Sequence, residues 1–129
     1  MDNQQKTTLV LLPGLDGTGK LFRPFVEALP TDVCTLVIAY PPNKRLSVNE
    51  LAEFVASRLP PGRVVLLAES FSGLVALALL ASGVKRIETV VFCASFAEPP
   101  RPKLLWLANL IPCVVFRVGM AQKLSLNLL

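Results

Sequence analysis

Between residues 63 and 80 an apolar strand runs almost directly into an apolar helix, and the join is too short for anything but a tight turn. Val64-Val65-Leu66-Leu67 leads in and Leu74-Val75-Ala76-Leu77-Ala78-Leu79-Leu80 leads out. Only Ala68-Glu69-Ser70-Phe71-Ser72-Gly73 lies between them. A chain that turns from strand to helix in so few residues must throw the turning residue, Ser70, out at the strand's carboxyl end. Residues two positions away must then be small to clear the neighbouring backbone, and Ala68 and Ser72 meet that demand.

This join belongs to a wider alternation. Four short apolar runs, at residues 7–12, 35–40, 63–68 and 87–93, read as strands, and helical stretches separate them. Their nearly continuous apolar character predicts strands covered on both faces, as in a parallel sheet. Leu21, Phe22, Phe25, Val26 and Leu29 share one helical face, with Pro24 tolerable near the first turn. Ser47-Val48-Asn49-Glu50 spells a capping box, opening a helix that buries Leu51, Phe54, Val55 and Leu59. The third helix, from about Ser70 to Ala81, is apolar nearly all round and is predicted to lie deep, ending at Ser82-Gly83. Strict alternation of strand and helix predicts an α/β fold, a doubly wound, mainly parallel sheet with helices on both faces. In such sheets the chemistry sits beyond the carboxyl ends of the strands, where both the 13–20 and 68–73 loops fall.

Bulk properties narrow the function. The chain has 129 residues, 53% of them hydrophobic and 17% charged, enough for one domain with a real core. The net charge is +4, but basic residues stand singly or in pairs such as Lys44-Arg45 and Lys85-Arg86. Without a continuous basic stripe, no nucleic-acid partner is expected. Cys34, Cys93 and Cys113 are too widely spaced for a metal site, and the chain has no histidine. The cysteines at 34 and 93 read as small buried hydrophobes in or beside strands. The polar N-terminus is no signal peptide, and a reduced, cytoplasmic setting is expected. The apolar 104–118 stretch, broken by Asn109, Pro112 and Arg117, is too short to span a membrane and reads as a cap helix after the rigid Glu98-Pro99-Pro100-Arg101-Pro102 linker.

Two loops carry the chemistry. The small-x-Ser-x-small string around Ser70 is the signature of a nucleophile elbow, although a serine there could also simply cap a helix. The Phe71 amide, at a helix N-terminus, suits a developing oxyanion. Leu12-Pro13-Gly14-Leu15-Asp16-Gly17-Thr18-Gly19-Lys20 is glycine-rich and can supply a second amide, that of Leu15. The same loop matches G-x-x-x-x-G-K, the opening of a phosphate-binding P-loop, but Leu21 stands where Ser or Thr should hold magnesium. Nor does an aspartate close the third strand, which ends on Glu69.

The strings Leu-Val-Leu-Leu-Pro-Gly-Leu-Asp-Gly-Thr-Gly and Val-Leu-Leu-Ala-Glu-Ser-Phe-Ser-Gly together resemble the N-terminal half of an α/β-hydrolase. The likeness is to bacterial esterase- and thioesterase-like members, and it covers roughly residues 7–102. The remainder, 103–129, resembles the start of the family's helical cap. The resemblance implies Ser70 as nucleophile, the amides of Phe71 and Leu15 as oxyanion hole, and Gly14 and Asp16 as substrate-binding residues of the loop. It implies a small acyl ester or thioester as substrate, and no metal or organic cofactor. The family's triad runs Ser, then Asp or Glu, then His, and this chain stops at Leu129 before either partner is met. Glu98 could occupy an alternative acid position but orients nothing without a histidine. Lys20 is a conceivable base in a loop that gives it no reason to lose its proton, and Glu69 reads as a surface or supporting group rather than a base. The expectation is therefore a fragment truncated within its cap, with little or no turnover of its own. Two alternatives stay open: a non-catalytic acyl-binding or complementing module, and a P-loop-like nucleotide binder. The fourth strand is expected to present an exposed apolar edge prone to self-association.

Overall fold

A computed structural model describes residues 6–95 of the chain. They lie in the first of two compact units, Met1–Glu98 and Pro99–Leu129. Glu98, Cys113 and the predicted cap over 104–118 lie outside the described residues.

Four strands form one parallel sheet: β1 (Thr8–Leu12), β2 (Cys34–Val37), β3 (Val64–Glu69) and β4 (Ile87–Cys93), in the order β2-β1-β3-β4. The register runs Leu11 beside Val37 and Leu67, and Glu69 beside Cys93, with one irregularity at Val64/Val65. After β1 the chain makes a 3₁₀ turn (Lys20–Phe22) and a short helix α1 (Arg23–Ala28), while α2 (Val48–Ala56) and α3 (Ser72–Ala81) carry the next two crossovers. Strand order reverses between β1 and β3, so right-handed crossovers put α2 and α3 together on one face and α1 on the other.

The core follows the two-residue alternation of the strands. Val10, Leu12, Val64, Leu66 and Ala68 point to the α2/α3 face and are sealed there by Leu51, Val55, Val75, Ala76 and Leu79. The predicted capping box opens α2: Glu50 N–H donates to Ser47 Oγ and Ser47 N–H to Glu50 Oε2. Such a cap contributes about 1 kcal/mol. Gly83, at φ 78°, follows the C-terminal turn of α3, where a residue without Cβ meets no steric cost.

Three expectations are corrected. The apolar face over residues 21–29 is narrower than expected: Phe22 is buried and Val26 and Leu29 half-buried, while Leu21 and Phe25 are exposed. The 3₁₀ turn advances 120° per residue rather than 100°, so Leu21 falls out of phase with the helix that follows. The strands are not all covered on both faces. Among the described residues β4 is an edge strand with Val91, Phe92 and Cys93 exposed, so Cys93 is not a buried hydrophobe and Cys34 is only half-buried. The third helix buries one stripe rather than its whole circumference, and Leu80 faces outward. Ser70 and Phe71 precede this helix rather than open it.

Candidate active site

Ser70 joins β3 to α3 with a backbone φ of 53°, in the left-handed region that side chains with a Cβ avoid. Holding it there costs on the order of 1 kcal/mol or more, which surrounding contacts must offset. They are present. Ser70 N–H donates to the Cys93 carbonyl at 3.0 Å, and the Ser70 carbonyl accepts from Gly73 N–H and from the Ser95 hydroxyl. The end of β4 thus grips both backbone groups of the strained residue. The Ser70 side chain is half-buried.

The 13–19 loop reaches the same spot from β1. Gly14 is buried against the turn, and a Cβ built on it would stand 3.3 Å from Ser70 Cβ. Its N–H points to Glu69 Oε2 at 3.4 Å. Leu15 follows with its side chain 86% exposed. Among the described residues, neither the Leu15 nor the Phe71 N–H finds a hydrogen-bond acceptor. Two amides without acceptors among the described residues thus belong to the two segments that meet at Gly14 and Ser70.

Asp16 turns back on its own loop. Its carboxylate accepts from Thr18 N–H at 3.2 Å and from the Thr18 hydroxyl, bracing its own loop. Lys20 N–H goes to Thr18 Oγ1 and Gly17 N–H to the Gly14 carbonyl. In a phosphate cradle those amides would converge on the ligand, whereas here a carboxylate and the loop's own oxygens take them.

Behind the turn lies a polar cluster that sequence reasoning passed over. Ser72, fully buried, donates to the Pro13 carbonyl, and Tyr40 Oη lies 2.5 Å from Ser72 Oγ. Burial pushes the Tyr40 phenol up to about 12, against the opposing pull of its hydrogen bond with Ser72. The Tyr40 ring meets Phe71 edge to face, centroids 5.7 Å apart. The one sequence signal for this cluster was a serine, rather than a glycine, in the second small position after Ser70.

Beside the turn is a cleft of about 320 Å³ whose walls include Leu15, Asp16, Tyr40, Lys44, Leu51 and Phe71. It brings Leu15, Asp16 and Phe71 together, while Gly14 and Ser70 lie at the neighbouring contact. Among the described residues no three Cys, Asp or Glu side chains cluster as metal ligands, and no helix is long and apolar enough to cross a membrane. No protein-family model matches the chain, and neither does any curated protein.

Proposed function

We propose that this chain carries the nucleophile and the oxyanion hole of a serine hydrolase acting on carboxylic esters or thioesters. The observation that supports it most is Ser70 at positive φ between strand and helix, against the loop that carries Leu15, with the Leu15 and Phe71 amides unpaired among the described residues. In this reading the Ser70 oxygen attacks the acyl carbon, and the carbonyl oxygen gains negative charge facing the two amides. The tetrahedral adduct then collapses to an acyl-serine as the C–O or C–S bond breaks. The leaving alcohol or thiol departs with a proton.

The chain has no histidine, so the base that takes the Ser70 proton is not an imidazole of this sequence. Loss of triad members leaves only what the oxyanion hole and substrate binding contribute, about a thousandfold over water. The substrate is a small acyl compound whose apolar part enters the cleft beside Leu15 and Phe71. Reducing conditions, as in the cytoplasm, suit the free thiols of Cys34 and Cys93. The exposed β4 edge suits self-association rather than nucleic-acid binding.

The same features support a second reading, an acyl-binding module without turnover, because the cleft and the amides need no base to hold a carbonyl. Incubation of the whole chain with a fluorophosphonate, followed by peptide mass mapping, tests the first reading. Slow, single-site modification of Ser70 that outpaces Ser47, Ser57 and Ser82 is expected. Equal modification of all these serines removes the nucleophile assignment.

A further inference from the structure

The buried cluster behind Ser70 has a fixed hydrogen-bond direction. The Pro13 carbonyl can only accept, so the single hydroxyl hydrogen of Ser72 is committed to it. The Ser72 oxygen must then accept, which makes Tyr40 Oη the donor across their 2.5 Å contact. The chain runs Tyr40 to Ser72 to Pro13, one way.

Tyr40 is also fastened to the far side of the same loop. Its backbone N–H donates to the Gly17 carbonyl at 2.7 Å, and its Cβ lies 3.7 Å from the place a Gly17 Cβ would occupy. The two carbonyls that bracket the loop, Pro13 and Gly17, are therefore both held, one through Ser72 and one by Tyr40 itself. Leu15 lies midway between them, one peptide bond from the Gly14 carbon that abuts Ser70. Ser72 in turn lies in the first turn of the helix that Ser70 leads into.

We propose that Tyr40 and Ser72 are positioning residues, a latch that ties the 13–17 loop to the helix carrying the nucleophile turn and so sets the Leu15 amide against Ser70. The oxyanion role of that amide rests on the hydrolase reading above; the latch itself does not. Residues only two apart in sequence then divide the work, Ser70 toward the substrate and Ser72 toward the loop. A glycine at 72 would satisfy the space but not the Pro13 carbonyl.

The test uses the whole ¹⁵N-labelled chain with phenylboronic acid as probe. Boron accepts an oxygen lone pair of Ser70 and the hydroxyl proton passes to solvent, leaving a tetrahedral, anionic boronate. In the parent protein the Leu15 and Phe71 amide signals are both expected to move, and Ser70→Ala to abolish both shifts. In Tyr40→Phe and Ser72→Ala the Phe71 shift is expected to persist while the Leu15 shift falls by more than half. Affinity is expected to drop about tenfold, the size of one net hydrogen bond. A Leu15 shift unchanged in both variants overturns the proposal, whereas a simple loss of folding would move both amides together. Should the parent form no adduct, the hydrolase reading fails, and hydrogen exchange without probe decides the latch. Exchange of the Gly14 and Gly17 amides at least about tenfold faster in Tyr40→Phe, with Val10 and Leu66 unchanged, supports it. Unchanged Gly14 and Gly17 exchange overturns it.

Discussion

Gly14 and Ser70 meet closely at the carboxyl edge of the sheet: a Cβ on Gly14 would stand 3.3 Å from Ser70 Cβ, a contact that fits only if one side gives by a few tenths of an ångström. That contact lets the β1 loop and the strand–helix turn share one site. Gly14→Ala is expected to cost about 1–2 kcal/mol and Gly14→Val more, as overpacking against a gripped turn that cannot retreat. Urea midpoints with unchanged m-values measure it. If both variants match the parent, the two segments are not in contact.

Strain at Ser70 has its own signature. Glycine pays no penalty at positive φ, so Ser70→Gly is expected to be about 1 kcal/mol more stable than Ser70→Ala, both lacking the hydroxyl. Thermal unfolding of the pair decides this. An alanine variant as stable as the glycine variant would mean the turn is relaxed.

Gly19 closes the loop at φ 71°, and a Cβ there would be driven into Val37 Cγ1. Gly19→Ala combines a left-handed penalty with a steric collision and is expected to cost about 2–4 kcal/mol. Adding Val37→Ala should recover the collision but not the backbone penalty, so chemical denaturation of the double variant is expected to show partial rescue.

Tyr40 links stability to alkaline pH. Its phenol is raised to about 12 in the folded protein against about 10 when unfolded, so the native state holds this proton more tightly. The stabilisation is complete below pH 10 and lost as pH rises through 12. Its full size is on the order of 2 kcal/mol. Tyr40→Phe is expected to flatten the stability profile between pH 10 and 12 relative to the parent. An identical slope in both would place the alkaline sensitivity elsewhere.

The β4 edge leads to a last expectation. Val91 and Phe92 stand exposed on a strand whose outer side is unpaired among the described residues. Phe92→Lys should lower the sedimentation-measured association of the chain at high concentration, as charge on an edge strand opposes pairing. Equal association in parent and variant would locate the contact on another surface.

Much of this architecture was written locally. The strand at Val64–Glu69 and the reciprocal Ser47/Glu50 cap depend on near neighbours, and both stand where the apolar run and the capping rules put them. The apolar face expected over residues 21–29 lost Leu21 for a local reason too, since a 3₁₀ turn is chosen by how the chain enters the helix and not by the spacing of apolar side chains. Among the described residues the fourth strand presents the exposed apolar edge expected of it, and Cys93, read as a small buried hydrophobe, lies on that edge.

The sequence alone determined that Ser70 must project from a tight strand-to-helix turn, since two apolar segments so closely joined leave the serine no other place. It also determined that Gly14 and Leu15 follow a strand directly. Only the tertiary structure decided that these two turns touch, because the strand order β2-β1-β3-β4 sets β1 beside β3 across the 51 residues of sequence between Leu12 and Val64, a pairing written in neither segment. The same pairing turned Ser72 from a merely small residue into the hydroxyl that joins Tyr40 to Pro13. Buried polar groups must be satisfied wherever the fold encloses them, and which groups become buried together is settled by packing over long separations in the chain.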